Sequence, residues 1–274
     1  MTDEHVFPRW YGDRVQDLTS KRVHHLDKVE IDTKNIDVLK KVDTKIRNGD
    51  LRRRRLKVVC APCNNGWMSN IQSRMKIIYD NIEKGKLRSI NEEDQNTIAL
   101  WAIVFSIVYE ANHPEWAFTT FDDRIKIKER LAPTSDWHVW VAGYEGRTDW
   151  SNHFGLQAYL LAREVGTLQW HNVHMQGNHR IGIQVTSWPF SNLFFMTCFK
   201  SPEIVNWPRT VEIDNGASLI YPKRSPNLDV SRSINILEAD KISRIILQIR
   251  ESDSRRIWGA GPAPITPEKD QDPK

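Results

Sequence analysis

The sequence predicts an α+β protein in which a module of two strands and one helix precedes a further helix and a mainly antiparallel β region. Three observations support this prediction. Asn48-Gly49 is a two-residue turn signal between apolar segments. Apolar residues recur at helical spacing between Trp67 and Ile82. The second half of the chain contains several short runs rich in β-branched and aromatic residues. The predicted division is residues 1–88, residues 89–258 and a tail, residues 259–274.

The first module is predicted to contain a hairpin within residues 41–59, followed by a helix. Residues 42–46 precede the Asn-Gly turn and residues 56–59 follow it, so these two segments are expected to pair. The second strand leads directly into Cys60. Asn64 and its neighbours are typical of a turn or a helix cap. The apolar positions that follow define one face of a helix: Trp67, Ile71, Met75, Ile78 and Ile82.

The remaining elements follow from the same kind of pattern. An acidic first turn after Asn91 predicts a second helix that reaches about Ala111 and ends before Pro114. Four apolar runs then predict strands, and the last three are expected to form an antiparallel sheet. They lie at Trp137–Ala142, Phe154–Leu161, Ile181–Val185 and Leu193–Phe199. A short helix is expected within residues 234–249. The tail is rich in Pro, Gly and charge, and is expected to be disordered.

The composition is that of a soluble protein with a hydrophobic core, with 39% hydrophobic and 27% charged residues. The longest apolar run, Ile98–Tyr109, is too short for a membrane span, which needs roughly twenty residues. It predicts a buried helix and no membrane partner. Three cysteines form no disulfide framework, and the N-terminal residues lack an apolar leader. We therefore expect a cytoplasmic protein, and the sequence leaves its oligomeric state open.

The positive charge of the chain is concentrated near its N-terminus. Residues 1–90 contain 20 Lys and Arg against 12 Asp and Glu, a net charge of +8, whereas the whole chain carries only +4. A basic segment suits a polyanionic partner. The same charge would also suit an ordinary solvated surface.

Three polar residues in this basic region have the chemistry of a hydrolytic site. Cleavage of a phosphodiester needs a base that activates water and a cation that stabilises the developing charge. His5 is the candidate base. Glu4 offers a carboxylate oxygen for Mg²⁺ or Mn²⁺, and Asn64 offers an amide oxygen. Two protein oxygens would leave positions on the cation for water and phosphate.

Two short motifs resemble the HNH, or ββα-metal, endonuclease superfamily. They are Glu4-His5-x-x-Pro8 and Cys60-x-x-Cys63-Asn64, the latter continued by Asn-Gly-Trp-Met-Ser. The Cys-x-x-Cys-Asn form is similar to the branch that contains phage junction-resolving endonucleases, and comparable proteins occur in bacteria and phages. The resemblance covers residues 1 to about 80. It implies that His5 is the general base, that Glu4 and Asn64 bind a divalent cation, and that Cys60 and Cys63 are candidate ligands of a structural zinc ion.

The chain departs from the family pattern in three places. An earlier Cys-x-x-Cys pair that often completes the zinc site is missing, so either it has been lost or it lies upstream of Met1; His24 and His25 are alternative donors. The family's middle Asn is replaced by Arg55, for which Asn48 is a poorly placed substitute. The long interval between His5 and Cys60 indicates an insertion, which a chain tolerates at little thermodynamic cost.

The basic run before the cysteine pair predicts the nucleic-acid contact. It contains Arg52, Arg53, Arg54, Arg55 and Lys57. Arginine binds phosphate with two parallel hydrogen bonds, so these residues are expected to hold the backbone of DNA. The alternative is a charged edge strand that resists aggregation.

Two functions follow from these observations. The first is a metal-dependent DNA endonuclease of the HNH type. The second is a non-catalytic nucleic-acid-binding protein on a degenerate HNH scaffold, which the missing cysteine pair and Arg55 favour.

Overall fold

The computed structural model describes eleven ranges of the chain: residues 2–5, 8–12, 23–32, 35–48, 55–84, 89–111, 117–146, 152–157, 182–202, 216–222 and 228–243. In these ranges the fold combines helices with strands that pair almost entirely antiparallel, which confirms the predicted α+β class. The predicted disordered tail, residues 259–274, lies outside the described residues. The first elements are β1 (Thr2–His5), α1 (Arg9–Gly12), β2 (Val23–Asp32), β3 (Asn35–Asn48) and β4 (Arg55–Val59).

The strand pairs near the N-terminus differ from the predicted hairpin. β3 pairs with β2 from Val23 opposite Asn48 to Asp32 opposite Asn35, whereas β4 pairs with β1. The prediction that residues 42–46 pair with residues 56–59 is therefore wrong. An Asn-Gly pair signals a local turn but does not select the strand partner. β2 was not predicted, because its polar and apolar residues do not alternate regularly along the strand. In the structure, its pairing with β3 is irregular at Lys28 and Val29.

A long helical segment follows β4. It comprises α2 (Ala61–Cys63), a kinked turn (Asn64–Met68) and α3 (Ser69–Glu83). The predicted apolar face is confirmed, since four of its five positions are buried and Trp67 is half-buried. The helix begins earlier than predicted: Cys60 occupies the N-cap, and Asn64 is already helical with φ −62° and ψ −49°. Pro62 explains the earlier start, because proline is preorganised for a first helical turn.

The next two helices frame the centre of the molecule. α4 (Glu92–Glu110) begins as predicted, and the side chain of Asn91 accepts a hydrogen bond from the Asp94 backbone N–H at 2.9 Å. α5 (Phe121–Arg130) was not predicted from the sequence. The sequence feature that could have predicted this helix is the capping box formed by Thr120 and Asp123.

Most strands of the second half form one main sheet. The remaining elements are β5 (Ser89–Ile90), β6 (Trp137–Tyr144), β7 (Asn152–Gln157), β8 (Gly182–Phe190), β9 (Leu193–Lys200), β10 (Ser218–Tyr221), β11 (Leu228–Asp229), β12 (Ser233–Ile234) and α6 (Ile236–Ser243). The strand order is β10-β6-β9-β8-β7, and β12 adds to β6 in parallel. β11 lies outside this sheet and pairs with β5. The predicted antiparallel arrangement of the last three strand segments is confirmed, because β7 pairs with β8 and β8 with β9.

Aromatic side chains fill the space between α4 and this sheet. Phe105 stacks on Trp188 with ring centroids 3.9 Å apart, and Trp101 meets Phe195 edge to face at 5.2 Å. Each such pair adds about 0.5–1.5 kcal/mol to the free energy of unfolding beyond the burial of its area. The buried face of α3 belongs to the same hydrophobic core. Within the described ranges, each helix is either too short or too polar to cross a lipid bilayer.

A buried carboxylate joins α4 to the segment before α5. Glu110 is fully buried, and its carboxylate accepts hydrogen bonds from the backbone N–H of Thr119, at 2.9 Å, and from the Thr119 hydroxyl. The Arg124 guanidinium lies 3.9 Å from the same carboxylate. Burial raises the pKa of Glu110 above its ordinary value, and the hydrogen bonds from Thr119 oppose that rise.

Replacement of Glu110 by Gln is expected to change how stability depends on pH. Because the folded pKa lies above the unfolded value, the proton is held more tightly in the folded chain. The stabilisation by protonated Glu110 is full below its ordinary pKa of 4.5 and is lost as the pH rises through the raised pKa. Urea unfolding between about pH 4 and pH 8 should therefore show the wild type losing stability relative to Glu110→Gln. Glu129→Gln, an exposed change on α5, should show no such trend; a parallel trend in both variants would contradict the assignment.

Gly143 marks a close approach of two backbone segments. A Cβ at this position would lie 2.6 Å from the carbonyl oxygens of Val230 and Arg232. Gly143→Ala should lower the free energy of unfolding by about 1–3 kcal/mol, because backbone atoms have little freedom to move away. In Gly146→Ala the nearest atom is the hydroxyl of Tyr144, at the end of a side chain, so the loss should be smaller. Equal losses in the two variants, measured by urea unfolding, would contradict this reading.

Candidate functional site

The strand that carries Glu4-His5 pairs with the strand that precedes Cys60. In β1 and β4, Thr2 is opposite Val59, Glu4 is opposite Leu56 and His5 is opposite Arg55. The pairing is irregular between Thr2 and Glu4. Because the strands are antiparallel and β4 continues into Cys60, the start of β1 lies beside the start of the helical segment.

The helix α3 contacts the segment that follows β1. Its residue Tyr79 meets Trp10 with ring centroids 5.6 Å apart. Trp10 also meets Phe190 of the main sheet at 5.4 Å. The segment after β1 is thereby fixed to both α3 and β8.

His5 and Asn64 occupy different elements. His5 is half-buried at the end of β1, shortly before the buried Pro8. Asn64 is half-buried in the helical segment, where its backbone N–H donates to the carbonyl of Cys60 at 3.0 Å. Glu4 lies next to His5 on β1, opposite Leu56.

The helical segment is kinked directly after Asn64. Gly66 has φ −100° and ψ −112°, which separates the first turn from α3. A Cβ built on Gly66 would meet no atom within 4 Å, so there is open space beside this kink. The kink was not predicted, and its sequence signal is the glycine within an otherwise helical pattern.

The two cysteines of the motif differ in exposure. Cys60 is exposed and Cys63 is half-buried. The pKa of the Cys60 thiol is lowered, chiefly by hydrogen bonding from the Cys63 side chain and then from its backbone N–H. The positive charge of Lys128, on α5, contributes further lowering. The sequence did not indicate this electrostatic effect of Lys128 on Cys60.

The predicted metal ligands form no conventional cluster in the described ranges. Among those residues, no group of three or more His, Cys, Asp or Glu side chains is positioned to hold a metal ion. The predicted Mg²⁺ ligands are one carboxylate and the amide of Asn64, and a pair of this kind is not a group of three His, Cys, Asp or Glu side chains. The alternative zinc donors His24 and His25 lie on β2, which pairs with β3 and not with the strand pair of the site.

Part of the predicted basic cluster lies on β4. Arg55 and Lys57 are exposed, and as alternate residues of a strand they project from the same side. Leu56 and Val59 are half-buried and pack against the hydrophobic core. β4 therefore has an apolar contact with the core and carries free positive charge at its surface. Arg52, Arg53 and Arg54 lie outside the described residues.

The helix α4 and the polar residues on its buried side are not part of this site. Glu110 and the hydroxyl cluster of Ser106, Thr186 and Thr197 are buried in the interior. Cys198 is also buried, and burial raises the pKa of its thiol. The three hydroxyls bond to one another and Glu110 bonds to Thr119, so these groups have the internal partners expected of structural residues.

Comparison of the chain with protein-family models, with curated proteins and with solved structures gives no match. A function is therefore inferred from the residues of this chain and their arrangement.

Proposed function

We propose that the chain is a metal-dependent endonuclease that hydrolyses phosphodiester bonds in nucleic acid, with DNA as the expected substrate. The observation that carries the proposal is the pairing of β1 with β4. It joins the strand that ends in Glu4-His5 to the strand that leads into Cys60-x-x-Cys63-Asn64, although the motifs are about fifty-five residues apart in the sequence. The helical segment that begins after Cys60 would supply the helix of the ββα module that the resemblance implies.

His5 is the proposed general base. Imidazole titrates near pH 6.5, so a neutral ring at physiological pH accepts a proton from water. Glu4 and Asn64 are the proposed ligands of one Mg²⁺ or Mn²⁺, which would supply charge stabilisation for the attacked phosphate and the leaving oxygen. The open space beside Gly66 lies directly after Asn64, where a phosphate would have to approach.

The charged surface of β4 is the proposed contact with the nucleic-acid backbone. Arg55 and Lys57 are exposed on one side of the strand that pairs with the Glu4-His5 strand. Cationic side chains at this position would hold a phosphodiester backbone across the strand pair. Zinc binding at Cys60 and Cys63 would require donors beyond these two thiolates, and the proposed catalysis uses neither cysteine.

Removal of the His5 imidazole should slow DNA cleavage strongly while leaving DNA binding intact. With plasmid DNA and Mg²⁺ or Mn²⁺, His5→Ala should cut about 10²–10⁴-fold more slowly than the wild type, the usual effect of a removed general base.

Asn64→Ala should raise the metal concentration needed for half-maximal cleavage. Asn65→Ala, an exposed neighbour of the same residue type, should behave like the wild type.

The outcomes of this experiment separate the two candidate functions. Cleavage by His5→Ala at the wild-type rate would refute the catalytic role of His5. DNA binding without any cleavage, unchanged by Ala at Glu4, His5 or Asn64, would replace the nuclease by a non-catalytic binding protein.

Arg55 and Lys57, the two cationic residues of β4, should contribute to the salt dependence of DNA binding. Arg55→Ala and Lys57→Ala should each reduce the slope of log K against log salt by about 0.9, because each removes one phosphate contact. Lys84→Ala changes an exposed lysine at the opposite end of α3 and should leave the slope unchanged. Fluorescence anisotropy with a labelled duplex over a range of salt concentrations measures this slope. An equal effect of all three changes would indicate non-specific charge attraction.

A further inference from the structure

We propose that Cys60 and Cys63 form a thiol–disulfide exchange site, which reacts with small disulfides such as glutathione disulfide and closes an intramolecular disulfide in the first turn of the helical segment. This inference does not depend on the nuclease proposal, because it uses only the two thiols and the backbone around them.

The backbone brings the two cysteines to adjacent positions on one side of the first turn. Cys60 is the N-cap, with φ −75° and ψ 151°, and Cys63 is the third helical residue. Side chains at these two positions face each other, as they do in the capping box. The bond from the Asn64 N–H to the Cys60 carbonyl, at 3.0 Å, closes the turn around them. Cysteines in this relation fall within the Cα separation of about 4.4–6.8 Å that a disulfide requires.

The exposure of the three cysteines assigns different roles to them. Cys60 is exposed and can meet a disulfide in solution, whereas Cys63 is half-buried behind it. Cys198 is buried and cannot take part. Ala61 and Pro62 separate the reactive pair, and both are exposed. Cys60 is thus the residue that attacks the small disulfide, and Cys63 is the residue that resolves the mixed disulfide. Cys-x-x-Cys redox pairs have the same two roles.

The reaction conserves atoms and electrons in two exchange steps. Cys60 Sγ, after giving its proton to solvent, attacks one sulfur of glutathione disulfide, and one glutathione leaves as a thiolate that takes up a proton. Cys63 Sγ then attacks Cys60 Sγ in the mixed disulfide and displaces the second glutathione in the same way. The protein dithiol is oxidised to one disulfide, and glutathione disulfide is reduced to two glutathione molecules.

The test uses the full reduced chain, incubated anaerobically with glutathione disulfide and quenched by alkylation under denaturing conditions. Intact mass should show a product lighter by two hydrogens, with Cys198 as its single alkylated thiol. Dithiothreitol should restore three alkylated thiols. Cys198→Ser should close the same disulfide, because the buried thiol has no role.

Single variants of the pair distinguish the two roles. Cys63→Ser should accumulate a stable glutathione adduct on Cys60, because nothing resolves it. Cys60→Ser keeps an N-cap hydroxyl and should react roughly tenfold more slowly, because the remaining thiol is less accessible. Helical content measured by circular dichroism checks that both variants are folded.

Three results would overturn the inference. A wild-type chain that keeps a glutathione adduct without closing the disulfide would show that the thiols cannot meet. Equal reactivity of Cys60→Ser and Cys63→Ser would remove the assigned roles. Bound zinc in the purified chain, with thiols that react only after chelation, would show that the pair serves as metal ligands.

Discussion

The pairing of β1 with β4 is the constraint on which the arrangement of the candidate site depends. It is a long-range contact in a chain whose other N-terminal strands, β2 and β3, pair with each other. The energetic cost of such a contact is mainly the closure of the intervening loop, and that cost rises only slowly with loop length. A long insertion between the motifs is therefore compatible with bringing them together.

This strand pair is held in place by the aromatic core. Trp10 follows β1 and packs on both Tyr79 and Phe190, so the N-terminal segment is bound to α3 and to the main sheet at once. The buried face of α3 shares its core with α4 and the sheet. The position of His5 thus depends on packing far from the motif itself. His5 and Asn64 are half-buried, so neither side chain is enclosed in this core.

Elements with strong local signals were predicted well from the sequence. The faces of α3 and α4 and the strands β7, β8 and β9 follow from the spacing of their apolar residues and from the capping residue Asn91. The partners of β3 and β4 could not be predicted, because pairing is decided by tertiary contacts that periodicity does not contain. α5 was missed although its capping box is visible in the sequence. For the site, the motifs identified candidate residues, whereas the kink at Gly66 and the nearby charge of Lys128 emerged only from the fold.

The contacts of Trp10 also bear on the order in which the molecule is assembled during synthesis. Trp10 leaves the ribosome before its partner Phe190, which follows 180 residues later. At a translation speed of about 5–20 residues per second, the strand that precedes Trp10 waits roughly ten seconds or longer for the surface that anchors it. The region that carries His5 is therefore synthesised well before the surface on which its final packing depends.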